Sequence, residues 1–582
     1  MCRCSILTRA QPNRPLTSTI ASFALPAFSP FAPWGPKRSP MAVQTMPLAL
    51  YLKRFRVSFK PCGRPQQKRP EPAFATRSAV FVPLPGLLRG SIAMPASPIS
   101  PPAPRPHPAL GRRRWVLGLL LLGALFPATA SEGRLREQLQ PIIDRLPEGS
   151  NAAVAVYCLR QQRFVFTHNE QRQLRLASVA KVPVSAAALL DLGQDFEFVT
   201  SLVNLGPDIA QGSIAGLGII ARGDPALDEH HTERQPDRIF IEWAQALQRQ
   251  GVRRISGDIV IDNSYFAGPI RPSTYPGGAR NIQAWYSAPA SAFAWNNNCI
   301  EVQVRPTRLG EPVQVLTRPV SDRIRIINRA TTQSSNLSGG IIVNRAEHSN
   351  TITVSGRYQA PTAWFPVSIH EDPDLLAGDH LAHILRQQGI AIDGQVRLGR
   401  VDANRPLLHE HRSGLMGALA IFNQRSQNFY GEQIIRVLGQ RHRGEGSIVA
   451  GAATVMEILT SRLGLPAEHI SLLDGSGLSY DNLSSAWYIC QLLARMDRLP
   501  ISQIYRQTLR EQWVSGVRCQ VKTGALAVAR CLAGYINASP ENSYTFTILL
   551  NRGEAGGTAW SRVLQNRERE NLLAAMVAAL KP

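Results

Sequence analysis

The middle of this chain is written in a different period from its two flanks, and that change narrows the folds open to it. From about residue 200 to 400, short alternating runs such as GSIAGLGIIARG, ISGDIVIDNSYF, CIEVQVRPT, RIRIINRATT and NTITVSGRYQ recur between Gly, Pro and Asn punctuation. Alternation at period two marks half-buried strands, so this region reads as β-rich, with helices only around 239 to 250 and 375 to 388. The flanks are mixed. On the N-terminal side a helical LREQLQPIIDRL precedes two strand-like runs, NAAVAVYCLR and QRFVFTHNE. A segment from 178 to about 192 then follows, apolar on all sides, which reads as an enclosed helix stopped by Gly193. On the C-terminal side helices dominate from 414 to 498. VKTGALAVARCLAGYINAS and SYTFTILLN read as a strand pair, and RENLLAAMVAAL as a closing helix. Helix and strand at both ends of a β-rich middle imply one α/β (α+β) domain, in two parts over 131–200 and 406–582, interrupted by an insertion over 201–405.

Charge is unevenly placed. A formal net charge of +23 would suggest nucleic acid or an anionic surface if it lay on folded domains. Residues 1–130, however, carry 18 Lys and Arg against one acid, Glu71, so the remaining body is only mildly basic and nucleic acid is excluded as a partner. Residues 1–107 are rich in Pro, Arg and Ser without a sustained period, and are expected to be disordered. Residues 108–130 read as a secretory signal: Arg112, Arg113 and Arg114, an apolar run from Trp115 to Phe126, and Ala128-Thr129-Ala130 before Ser131. The run is too short for a membrane-spanning helix of ~20 residues, which favours cleavage over a permanent anchor. Because a signal belongs at the start of a chain, Met94 is the expected initiator and the residues before it an over-extended reading frame. Export to the periplasm or cell envelope follows, with peripheral membrane association left open. Cleavage leaves Cys158, Cys299, Cys490, Cys519 and Cys531, an odd number with no CxxC pair, so buried free thiols with at most two disulfides are expected. His230-His231 lies in a charged loop without further ligands, and neither a metal nor a cofactor is expected.

Lysine is scarce. The chain has seven, Lys37, Lys53, Lys60, Lys68, Lys181, Lys522 and Lys581, and beyond residue 130 arginine outnumbers lysine more than tenfold. A sequence with that bias uses arginine wherever a surface cation suffices, so the two internal lysines need a reason. Guanidinium stays protonated, whereas an ammonium taken out of water or set near other cations can lose its proton and act as a base. Lys181 follows Ser178 by three residues in LASVAKVPVSAAALLDLG. On a helix that spacing puts both on one face, with the amine in reach of the hydroxyl. Ser178 in a first helical turn would also have free N–H groups and the helix dipole to favour negative charge on it. Lys522 sits in Val521-Lys522-Thr523-Gly524, a strand-like run whose glycine admits another backbone or a ligand. Between the two, Ser426-Gln427-Asn428 precedes a helix, and by itself reads equally well as a helix cap.

In order, Ser178-x-x-Lys181, Ser426-x-Asn428 and Lys522-Thr523-Gly524 match the S-x-x-K, S-x-N and K-T-G signature of penicillin-recognising serine enzymes. The chain resembles the low-molecular-mass, class C penicillin-binding proteins, the D-alanyl-D-alanine carboxypeptidases and endopeptidases. NQRSQNFYGE at 423–432 is similar to their second-motif helix and LDGSGLSYDN at 473–482 to their D-G-S-G-L-S segment. SGDIVIDNSYF, YSAPASAFAWNNN and ARCLAGYI also read like family stretches, and the likeness spans roughly 133–580. About 250 residues separate Ser178 from Ser426, typical of this class, whose β-lactamase/transpeptidase-like domain holds an insertion of two smaller β-containing domains.

The resemblance implies that Ser178 attacks the carbonyl of a D-Ala-D-X bond in peptidoglycan stem peptides while Lys181 takes its proton, giving an acyl-enzyme that water hydrolyses. Ser426 and Lys522 would return a proton to the leaving amine, and Asn428 would hold the substrate amide. The backbone N–H of Ala525, just after Gly524, would join that of Ser178 in an oxyanion hole. Thr523 with Lys522 would bind the terminal carboxylate. β-Lactams would be inhibitors. Three positions depart from the family pattern: Ala525 where Thr is frequent, Gln427 where Asp is common and Gly431 where Ala is usual. These bear on specificity rather than catalysis, and the last two are expected to face away from the chemistry. The D-G-S-G-L segment is expected to be a tight turn bordering the active-site helices with no direct role, and Asp224 and Asp262 to be turn residues. Against a Ser-His-Asp hydrolase stands the absence of a G-x-S-x-G elbow; against a β-lactamase, the long insertion. A non-catalytic cell-wall-binding or β-lactam-sensing protein of the same fold is the remaining alternative, opposed by the intact Ser178 and Lys181.

Overall fold

The computed structural model describes residues 130–581 except 229, 232–234, 335–339, 347 and 554–561. The irregular segment expected over 1–107 and the signal up to residue 129 lie outside the described residues. In chain order the discontinuous domain comprises α1 (Ala130–Asp144), β1 (Ser150–Cys158), β2 (Arg163–His168), α2 (Lys181–Leu192), α3 (Leu415–Gln424), α4 (Asn428–Arg443), α5 (Ile448–Leu463) and α6 (Ala486–Asp497). It closes with β3 (Arg510–Val514), β4 (Val517–Leu526), β5 (Ala529–Ser539), β6 (Asn542–Arg552) and α7 (Arg562–Leu580). The six strands form one sheet in the order β2-β1-β6-β5-β4-β3, antiparallel throughout. The N-terminal β1 thus pairs with the C-terminal β6, which joins the two sequence halves across the insertion.

Period-two patterning decides which side chain goes where. In β1, Ala153, Ala155 and Tyr157 face the cluster formed with α2, α4, α5 and α6, while Ala152, Val154, Val156 and Cys158 face the cluster formed with α1 and α7. β4 follows the same rule, with Val517, Cys519 and Val521 turned toward α1 and α7. Lys522, one residue on, is therefore turned to the other face, among the helices. Burying each of the valines among them stabilises the sheet by roughly 1.5–3 kcal/mol, and each alanine by less.

Two sequence expectations are corrected. The run VKTGALAVARCLAGYINAS is not one strand but two, β4 and β5, reversing at Ala527 and Val528, because both faces stay apolar through the turn and no Asn-Gly or Pro marks it. Ser178 is not in the first turn of an α-helix: Ala177–Ala180 form a 3₁₀ turn, and α2 begins at Lys181.

The insertion folds around two apolar clusters of its own. One is built on a five-stranded sheet with the helices Arg238–Arg249 and Pro373–Gln387, and includes Phe240, Trp243 and Trp295. The other fills the space between strands of two three-stranded sheets, with Ile300, Val302, Ile352 and Val354 at its centre. Glu197–Asn204 and Leu407–Gly414, where the chain enters and leaves, pair antiparallel in the five-stranded sheet. All five described cysteines are buried, and no disulfide joins any of them to another. No described helix is long and apolar enough to cross a membrane.

Candidate active site

Two backbone segments converge on the 3₁₀ turn that carries Ser178, and glycines allow the approach. A Cβ on Gly477 would lie 2.1 Å from the Ala177 carbonyl oxygen, and one on Gly524 would lie 2.7 Å from that of Leu176 and 3.1 Å from the Val179 nitrogen. Gly524 thus admits a neighbouring backbone, as the sequence suggested. Ala177 itself has φ +47° and Ser426 φ +59°, a left-handed conformation that costs a non-glycine residue of order 1 kcal/mol or more and that gathers at functional sites. Gly524→Ala is expected to push β4 off the turn and lower acylation about 10²-fold with the overall fold retained, measured by labelling kinetics beside circular dichroism.

The 3₁₀ turn serves the contact between Ser178 and Lys181 well, because residues three apart eclipse one another there. Lys181 Nζ lies 3.1 Å from Ser178 Oγ, 2.8 Å from Asn428 Oδ1, and in hydrogen-bond contact with the Ser476 carbonyl oxygen. Its side chain is fully buried. Burial lowers the ammonium from its usual value to about 7, against the charges of Asp474 and Glu432, which pull it upward. Two of the three contacts, the Asn428 amide oxygen and the Ser476 carbonyl, can only accept. A neutral amine therefore spends its two protons on them and turns its lone pair to the Ser178 hydroxyl.

A second serine–lysine pair faces the first. Lys522 Nζ donates to Ser426 Oγ at 2.8 Å and to the Thr523 carbonyl at 2.9 Å. Burial, with the nearby charges of Lys181, Arg510 and Arg569, holds it well below the normal lysine value. Asn428 opens α4, its Oδ1 on Lys181 and its Nδ2 donating to the Tyr286 carbonyl of the insertion at 2.8 Å. Both ends of this amide are engaged here, so a substrate amide would have to displace the Tyr286 contact. A cleft of about 490 Å³ opens above these groups, lined by Ser178, Ser426, Asn428, Thr523 and Ala525 on the domain side and by Trp285 among others from the insertion. Every expected site residue is brought to this cleft or directly beneath it, Gly524 as the backbone contact between strand and turn.

Of the departures, Gln427 points out of the cleft, its Nε2 donating to the His230 ring at 2.8 Å. Gly431 meets the D-G-S-G loop backbone to backbone, since a Cβ there would lie 2.6 Å from the Gly475 carbonyl oxygen. That loop corrects an expectation: it is a turn, but not one without a role. Asp474 is fully buried and accepts from the backbone of Ser476, Gly477 and Ser479 and from Asn482 Nδ2, and the turn so shaped presents the Ser476 carbonyl to Lys181. Glu432 and Tyr275 went unnoticed in the sequence as site residues. The i, i+4 spacing of Asn428 and Glu432 on α4 was a usable signal for the former; Tyr275, deep in the insertion, carried none. Asp224 and Asp262 do act locally, accepting from the backbone N–H of Ala226 and of Ser264. Among the described residues no cluster of three or more metal-ligating side chains occurs.

Comparison with known proteins gives a consistent picture. A family model described as the D-Ala-D-Ala carboxypeptidase 3 (S13) family matches residues 135–570. The chain is 28% identical over 485 residues to a D-alanyl-D-alanine carboxypeptidase of Actinomadura sp. (strain R39), covering 76% of this chain and 86% of that one. It is 25% identical over 434 residues to the D-alanyl-D-alanine carboxypeptidase DacB of Haemophilus influenzae, covering 71% and 88%. The crystal structure of penicillin binding protein 4 (dacB) from Haemophilus influenzae superposes with a TM-score of 0.63 at 24% identity, over 75% of this chain and 99% of that one, and so shares its fold.

Proposed function

The chain belongs to the D-Ala-D-Ala carboxypeptidase 3 (S13) family and is a serine D-Ala-D-Ala carboxypeptidase, and from that premise we propose how its residues divide the work. Ser178 Oγ attacks the carbonyl of the penultimate D-Ala, and its proton passes to the Lys181 amine. Collapse of the tetrahedral adduct breaks the C–N bond and leaves an ester on Ser178. The departing D-Ala amine takes a proton through Ser426 and Lys522. Thr523 and Lys522 hold the terminal carboxylate, and the N–H groups of Ser178 and Ala525 receive the oxyanion, each worth ~3 kcal/mol. Water then hydrolyses the ester. Asn428 holds the Lys181 amine in the resting cleft and turns its Nδ2 to the substrate amide on binding. The observation that carries this reading is the 3.1 Å contact between a fully buried amine and the Ser178 hydroxyl.

A fluorescent penicillin is expected to label the protein covalently, and a stem pentapeptide to lose its terminal D-Ala in its presence. Stable labelling without D-Ala release would instead support a β-lactam sensor. Peptidoglycan stem peptides are the substrates, and cross-links that present the same D-Ala carbonyl with a larger leaving amine are cut by the same step. Digestion of purified peptidoglycan, scored for released D-Ala and for loss of dimeric muropeptides, separates the two activities. Acylation also has a defined pH dependence. The amine must be neutral to take the proton, and with its value at about 7 the rate should fall about tenfold per unit as pH drops below that point. A rate that keeps climbing to pH 10, the range of an ordinary lysine, would show the amine not to be desolvated.

Export is part of the proposal. Removal of the segment ending at Ala130 would leave Ser131 as the first residue. Mass spectrometry of the enzyme from the cell envelope checks this, and peptides recovered from residues 1 to 90 would end the reading of Met94 as initiator.

A further inference from the structure

Beneath Lys181 lies a second layer of ionisable groups that the acylation scheme does not use. Glu432, one turn along α4 from Asn428, is 1% exposed and Asp474 is 0% exposed. Glu432 Oε1 accepts from the Tyr275 hydroxyl at 2.7 Å and its Oε2 from the Gly475 N–H at 3.3 Å. The Tyr275 oxygen is also 3.1 Å from Ser476 Oγ. Glu432 therefore grips the loop at two successive residues, Gly475 directly and Ser476 through Tyr275. These bracket the Ser476 carbonyl that receives Lys181 Nζ.

Three segments distant in sequence supply this arrangement: the insertion gives Tyr275, α4 gives Glu432, and the D-G-S-G loop gives Asp474 and Ser476. The two carboxylates differ in their surroundings. Burial raises the Asp474 carboxyl, but it accepts from three backbone N–H groups and the Asn482 amide, and these, with the charge of Lys181, oppose that rise and favour the anion. Glu432 has a single backbone N–H donor, Gly475, beside the hydroxyls of Tyr275 and Ser476. Of the pair it is the one placed to take up a proton.

We infer that Glu432 is a positioning residue for acylation: through Gly475, Tyr275 and Ser476 it aims the carbonyl that orients the Lys181 amine, and its charge governs how readily that amine keeps its proton. The inference rests on Lys181 being the base. Burial, with the charge of Asp474 adding to it, pushes Glu432 up to about 7, and its charge in turn pulls the Lys181 ammonium upward against burial. The other charged and titratable neighbours are accounted for. Lys522 from β4 opposes a cation at Lys181. Arg436, one turn further along α4, is spent on the carbonyls of Ala267, Pro269 and Gly446. Arg271 stacks on the Tyr275 ring at 5.5 Å.

The sign is definite. A carboxylate beside an ammonium stabilises it, so removing the charge lowers the pH at which Lys181 becomes neutral. In Glu432→Gln the acid limb of β-lactam acylation, followed by stopped flow from pH 5 to 9, is expected to move about one pH unit lower, with a reduced plateau rate. Glu432→Asp, which keeps the charge, should hold the limb near its wild-type position. Tyr275→Phe keeps both carboxylates but removes a donor from Glu432, so that group holds its proton to higher pH. The limb should again move down, by less, with no further shift in the double variant. Should Glu432→Gln fail to fold, Tyr275→Phe carries the test.

A lower plateau with the limb unmoved in both variants would make Glu432 merely structural and overturn the inference. Lys181→Arg in the same assay keeps the two readings apart. If it acylates at the wild-type rate, the base assignment itself fails; if it is inactive while the limb in Glu432→Gln stays put, only the role of Glu432 falls.

Discussion

Lys181→Arg is expected to lower acylation on the order of 10³-fold or more while the protein still folds. The reason lies in what the site asks of the group. Arginine cannot shed its proton in a protein, so no lone pair faces Ser178. The pocket can still hold a cation, because the Ser178, Asn428 and Ser476 oxygens accept from Nζ and the carboxylates of Asp474 and Glu432 lie close enough to act on its charge. The larger head must be fitted into a fully buried site, at a cost of roughly 1–3 kcal/mol. Loss of activity with a modest fall in melting temperature is the pattern to look for. Acylation within tenfold of wild type, measured with a chromogenic β-lactam, would rule Lys181 out as the base.

Ser178→Ala is expected to remove covalent labelling and D-Ala release altogether, a fall on the order of 10⁵-fold or more. It is the sharper test, because the cleft contains two serine–lysine pairs and Ser426 has the shorter contact, 2.8 Å to Lys522 against 3.1 Å for Ser178 to Lys181. Distance alone does not choose the nucleophile. The proposed scheme assigns the attack to Ser178, whose own N–H and that of Ala525 would receive the oxyanion, and leaves Ser426 with Lys522 to protonate the leaving amine. Mass spectrometry of the β-lactam adduct decides it. An adduct mapped to Ser426, or one that survives in Ser178→Ala, would reverse the roles. Binding of a D-Ala-D-Ala peptide to the variant should persist, since Thr523 and Lys522 are untouched.

Much of the site was legible because it rests on local rules. Lys181 three residues from Ser178 meets it on any helical turn, 3₁₀ or α. Lys522 one residue after Val521 must face the opposite side of a strand whose alternate residues Val517, Cys519 and Val521 pack against α1 and α7. The bias against lysine supplied the chemistry, since only a group able to lose its proton had a reason to escape replacement by arginine. What escaped the sequence has a common cause. The D-G-S-G-L turn was recognised as a turn, yet whether its Ser476 carbonyl touches anything depends on α4 passing it at Gly431, 44 residues away in sequence. Glu432 could be placed on the Asn428 face of α4 but not paired with Tyr275, because no periodicity relates an insertion residue to a helical residue 157 positions later.

The sequence by itself determined the candidate reacting groups, the order of the three motifs and the discontinuous layout, since residue chemistry and short-range spacing need no partner segment. Only the tertiary structure decided that the two serine–lysine pairs face each other, that Asn428 is held by the insertion and that buried carboxylates underlie the base. Those facts depend on sheet register and on backbones close enough to exclude a Cβ, quantities that many local sequences satisfy and that only the packed whole selects.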